Sequence, residues 1–131
     1  MANDLEINRS IDIEDVIRTA LSGHFTIFCK PLPAKFTVPS LEISSAGGTD
    51  ENKVDTFDVV LDARAQEDAE ANELLRNAIG ALKVIAKQQT TAIRHVTVNA
   101  SGSWGSDPVR PDLAMYSARL RLTAHQESII I

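Results

Sequence analysis

Apolar positions along this chain follow two rhythms, and the switches between them mark out its elements. From Ile13 to Leu21 the apolar residues Ile13, Val16, Ile17, Ala20 and Leu21 recur at helical spacing. Asp12 stands where a helix cap belongs, and Glu14 and Asp15 suit the positive end of the helix dipole. Gly23 follows where a left-handed residue closes a helix. A short amphipathic helix is predicted. A second helical pattern runs from Glu67 to Lys87, with Ala71, Leu74, Leu75, Ala78, Ile79, Leu82, Ile85 and Ala86 in one stripe. Acids crowd its start and Lys83 and Lys87 its end, which again matches the dipole. So many alanines on the buried side let this helix lie close against a sheet.

The other rhythm has a period of two. Asp55 to Arg64 places Phe57, Val59, Leu61 and Ala63 on one face and mostly polar residues on the other. Asp112 to Ala124 does the same with Ala114, Tyr116, Ala118, Leu120 and Leu122, and Ala92 to Ala100 is a strand by Val96 and Val98, although Ile93 has the wrong parity. "HFTIFCKPLPAKFTVPSLEI" reads as two extended pieces broken by Pro31, Pro33 and Pro39, with a bulge or an edge strand near Pro39–Ser40. "SSAGGTDENK" and "NASGSWGSDPVRP" read as loops. Residues 1–11 form a polar, loosely held arm and residues 125–131 a tail. The order helix, two or three strands, helix, two strands fits one α+β domain over residues 1–131. The economical arrangement is a single mixed or mostly antiparallel sheet of four to five strands with both helices on one face.

Composition narrows the classes. Apolar residues are 44% and charged residues 24%, as in an ordinary globular protein, and with only 5% aromatics the core must rest on Ile, Val, Leu and Ala. The net charge of −5 disfavours diffuse binding to nucleic acid or anionic lipid, which draws on clustered Lys and Arg. Cys29 is the single cysteine, so no disulfide forms within the chain, and a buried thiol in a reducing compartment is the simplest reading. No basic-then-apolar leader reads as a secretory signal, and no apolar run is long enough to span a membrane.

Catalytic signatures do not emerge. His24, His95 and His125 lack the spacing of a helical metal pair, so no metal site is expected. "GSWGS" leads into Asp107–Pro108 rather than a helix, and "AGGTDENK" lacks the Gly-Lys-Ser/Thr ending of a phosphate loop. There is no Gly-x-Ser-x-Gly elbow, and Cys29 reads as a mid-strand residue without a histidine paired to activate it. No cofactor is expected. Two features stand apart from this plain background. Trp104, the only tryptophan, either folds back over its own sheet or anchors a protein contact. Ile129, Ile130 and Ile131 would be an aggregation liability if left bare, so they should find a groove on this subunit or a neighbour.

The short leading helix, the Pro-broken "CKPLPAKFTVPSLEI", the loop "AGGTDENK", the strand "FDVVLDARAQ", the Ala/Leu-rich helix and the closing strand pair together resemble the tail terminator and head–tail completion proteins of tailed bacteriophages. The resemblance lies in order and texture, and that family brings no catalytic residues. It implies a structural virion protein at the tail–head junction, assembled in the host cytoplasm. Its subunits would form a ring, commonly a hexamer, that ends the tail tube and joins tail-tube protein to head connector protein. DNA would pass through without specific binding. On that reading Trp104 and Ile129, Ile130 and Ile131 make the subunit or ring contacts. Two other classes fit the same residues. One is a dimeric α+β module that binds a ligand or regulates a partner. The other is a small enzyme with His95, Arg94, Asp58 or Asp62 gathered in one cleft.

Overall fold

A strand that alternates apolar and polar residues needs a cover for its apolar side only, and here two helices provide it. The computed structural model describes residues 3–51, 54–107 and 110–131; at 46, 50, 51, 100–104 and 106 the backbone alone is described. The elements in chain order are β1 (Glu6–Arg9), α1 (Ile13–Leu21), β2 (Ile27–Cys29), β3 (Ser40–Glu51), β4 (Val54–Ala65), α2 (Asp68–Gln88), β5 (Ile93–Ser106), β6 (Ala114–His125) and β7 (Glu127–Ile130). The fold is α+β and mostly antiparallel, but the expected single sheet of four to five strands is corrected to two sheets. Five strands lie in the order β2-β3-β4-β6-β5, and β1 pairs with β7 in a separate two-stranded sheet. Among the described strands only β2 and β3 run parallel.

Register places the apolar positions of the central strands side by side. Val59 faces Leu120 and Leu61 faces Ala118 across β4 and β6, while Ile43 faces Leu61 across β3 and β4. On that face lie Ile13, Ile17 and Leu21 of α1 and Leu75, Ala78, Leu82 and Ala86 of α2, all buried in one cluster. The Asp12 carboxylate accepts from the Asp15 N–H at 3.3 Å and caps α1 as expected. The left-handed closing residue, however, falls at the end of α2, on Gln89 (φ 56°), and not on Gly23.

The odd parity of Ile93 is resolved by a β-bulge. The pairing of β5 with β6 slips between Ile93 and His95, and Ile93 ends fully buried opposite Ala124. The two expected loops are largely strand. β3 runs through "SSAGGTDE" with a slip between Ser45 and Gly47, where Gly47 takes φ 113°; an L side chain rarely adopts that conformation. A Cβ at Gly48 would run into the Thr56 carbonyl, so that position also needs glycine. β5 continues through "SGSWGS" with further slips between Val98 and Ser103. Gly and Ser carry no alternation to betray a strand, and long-range pairing supplies the order instead. The extended piece expected around Phe36 and Val38 contains no strand; β3 begins after it, at Ser40.

Because Ala78 is fully buried at the α2–sheet seam, Ala78→Leu should lower unfolding stability by about 1–3 kcal/mol through overpacking. Chemical denaturation followed by circular dichroism measures this, and an unchanged midpoint would show that the seam has room to spare.

Candidate assembly surface

The sequence expectation of an arm and a tail becomes a single feature in the structure. β1 and β7 pair antiparallel with Glu6 opposite Ile130, Ile7 opposite Ile129 and Arg9 opposite Glu127. Two backbone bonds between Leu5 and Ile131, at 3.0 and 2.8 Å, extend the ladder by one step. Residues directly opposite share a face, and successive residues alternate. Leu5, Ile7, Ile129 and Ile131 therefore fall on one face, while Glu6, Asn8, Ser128 and Ile130 fall on the other. The Arg9–Glu127 ion pair sits at the base, and the Ser128 hydroxyl donates to Glu6 at 3.2 Å. Where the chain leaves β6, the Gln126 amide donates to buried Asp55 at 3.0 Å and ties the ribbon's root to β4.

Among the described residues no other element packs extensively on this ribbon. β1 and β7 pack on each other and make no extensive contact with any other element, and none of their isoleucines joins the core cluster. Leu5 is 59% exposed, Ile130 68% and Ile131 65%. A two-stranded ribbon is marginal on its own in water, and large bare apolar residues mark contact surfaces. Further pairing capacity lies at the edges of the main sheet. The outer side of β5 has no strand partner among the described residues, and β2 pairs with β3 only over Leu41–Ile43.

A second apolar surface lies between the helices. A groove of about 570 Å³ is lined by Ala20, Leu21, His24, Phe25, Ala81, Val84 and Ile85, with Gln88, Thr90 and Thr91 at its end. Val84 is 53% exposed there.

The face of the sheet away from the helices is polar. Arg121 pairs with Asp58 at 3.1 Å, and the Ser117 hydroxyl donates to Asp62 at 2.5 Å. At one end this face is buried. Arg64 bonds to Glu42 at 2.8 Å and to Asp107 at 2.5 Å, all three nearly inaccessible. The Phe36 ring lies 5.9 Å from the guanidinium carbons of both Arg64 and Arg110. Burial opposes the charge on Arg64, but its bonds to Asp107 and Glu42 prevail and hold its pKa above the ordinary arginine value. Cys29 lies half-buried, its Sγ 4.0 Å from the Glu14 carbonyl; burial pushes its pKa up and the Glu14 charge adds to the effect.

Of the residues singled out in the sequence, Ile129, Ile130 and Ile131 come together with Leu5 and Ile7 on the ribbon. Trp104 stands in β5 at the register position of Tyr116, in a strand where a loop was expected, and its side chain lies outside the described residues. Asp58 lines a hollow with Asn99, Arg119 and Arg121, whereas Arg94 and His95 line a different one with Lys83 and Lys87. Asp62 belongs to neither, so these four groups do not converge. Among the described residues no three His, Cys, Asp or Glu side chains are grouped to hold a metal, and no helix is long and apolar enough to cross a membrane. Leu5 and Ile7 were missed. The available signal was the matched alternation of Leu5-Ile7-Arg9 with Glu127-Ile129-Ile131, hidden by their separation in the chain. No protein-family model matches the chain, and no curated protein matches its sequence.

Arg64→Met leaves Glu42 and Asp107 buried without their shared cation. This substitution should cost about 3–5 kcal/mol of unfolding stability, measured by denaturant titration. A loss below about 1 kcal/mol would mean that water reaches the cluster.

Proposed function

We propose that this chain is a structural subunit that assembles with its own copies into a ring, and that the ring is the tail terminator or head–tail completion ring of a tailed bacteriophage. The observation that carries self-assembly is the ribbon formed by residues 5–9 and 127–131, which leaves Leu5 and Ile131 of its apolar face exposed. The phage assignment draws on the sequence resemblance, and the α+β layout with both helices on one face is compatible with it. In such a ring every subunit offers one surface and receives another, so the contacts are heterologous and the rotation between neighbours closes. Tail-tube protein and head connector protein are the partners above and below. A net charge of −5 suits a passage that DNA crosses without adhering.

Light scattering after size exclusion, with and without purified tail tubes, tests this reading. The expected result is a ring mass, either free or formed only on tubes, with a cap visible at one tube end by negative-stain microscopy. A protein that stays monomeric and leaves tube ends bare would overturn it. Removing Ile129–Ile131 should weaken assembly by at least about 2 kcal/mol per contact, the size of a hot-spot loss. Trp104→Ala should weaken assembly while leaving the subunit's melting temperature nearly unchanged; a collapse of that temperature would assign the indole to the core.

A further inference from the structure

We infer that the ribbons of neighbouring copies join edge to edge. The outer side of β7 in one copy pairs with the outer side of β1 in the next, antiparallel and in the register that the ribbon uses within itself. The inference rests on the reading that copies of this chain associate, and it names the strands that meet.

Backbone geometry is the first ground. Leu5 and Ile131 exchange both of their N–H···O bonds, at 3.0 and 2.8 Å. In an antiparallel ladder such pairs alternate with pairs whose backbone groups point away from the partner strand. Ile7 with Ile129 and Arg9 with Glu127 therefore bond inward as well. The N–H and C=O groups of Glu6 and Asn8 then point out along the free side of β1. Those of Ser128 and Ile130 do the same along the free side of β7. Neither side has a strand partner among the described residues, and these residues are all exposed.

Other edges of the subunit are guarded. β2 is three residues long and runs into Lys30 and Pro31, and three slips interrupt β5. Short strands, charge, proline and bulges are what keep an edge from pairing with another chain. Residues 5–9 and 127–131 contain neither lysine nor proline, and their pairing has no slip.

Side chains select which edge meets which. In the internal register Leu5 lies opposite Ile131, Ile7 opposite Ile129 and Arg9 opposite Glu127. Repeating it between copies gives every Glu127 an arginine on both sides and brings no like charges together. Like strands fit worse: paired about the central isoleucine, β1 with β1 sets Arg9 against Leu5, and β7 with β7 sets Glu127 against Ile131. The contact is therefore head-to-tail, the kind that closes into rings. A closed ring would carry one continuous band of strands with no edge left over. A single junction is small, and ring closure or a tube end adds the effective concentration that holds it.

Proline separates the two edges with little harm to the subunit, because Asn8→Pro and Ser128→Pro each remove only an outward N–H. In sedimentation and on tail tubes, each alone should weaken association at least about 10-fold. Mixed in equal amounts they should form a dimer that grows no further, since one open β7 edge meets one open β1 edge. Arg9→Glu and Glu127→Arg should each assemble poorly and recover when mixed, because every junction between unlike copies again joins opposite charges. Hydrogen exchange in the wild type reads the contact directly: assembly should protect the N–H groups of Glu6, Asn8, Ser128 and Ile130. Proline variants that assemble as readily as wild type, or exchange at those groups unchanged by assembly, overturn the contact and leave the ring reading standing. A wild type that neither associates in solution nor caps tubes overturns both.

Discussion

Where α2 crosses the sheet, alanine faces a surface built largely of small and branched aliphatic residues. Ala78 and Ala86 on the helix share one buried cluster with Ala63, Ala118 and Ala124 of the two central strands, while Ala71 packs in a smaller one with Ala65 and Ala114. Small side chains at these positions bring the helix axis close to the sheet, and Leu75, Leu82, Leu61 and Leu120 fill the space between. Dispersion falls steeply with separation, so this close approach sets how well every larger side chain packs. With few aromatic rings available, the core depends on that fit.

A helical layer on one side leaves the other side of the sheet to the connections. Phe36 and Asp107 come together at one end of the polar face, and Arg64 is their meeting point. One guanidinium holds a carboxylate from β3 and another from beyond β5, so the cluster fixes where two irregular segments lie. A buried ion pair is weak evidence of stability in itself, since desolvation offsets most of the attraction. Its use here is geometric: one cation ties together two carboxylates carried by separate segments of the chain.

Both helices and the central strands were legible in the sequence because their periodicity is local. Val59, Leu61, Leu120 and Leu122 declare their face within a few residues. The extensions of β3 and β5 were not legible, because Gly, Ser, Thr and Asp there carry no apolar alternation and the strands exist through partners far away in the chain. The Arg64 cluster was hidden for the same reason, its carboxylates lying 22 and 43 positions distant. The ribbon was half legible. The three isoleucines announced a sticky end, but their pairing with Leu5 and Ile7 joins opposite extremes of the sequence, which no local pattern encodes. Sequence also suggested that the Trp104 segment was a loop, whereas its backbone is part of the sheet's outer strand.

Joining residues 5–9 to residues 127–131 also has a temporal meaning. On the ribosome β1 is made before β7 and lacks its hydrogen-bonding mate until the elements between them have been synthesised. The ribbon therefore comes into being only after the two helices and the five-stranded sheet are available to fold.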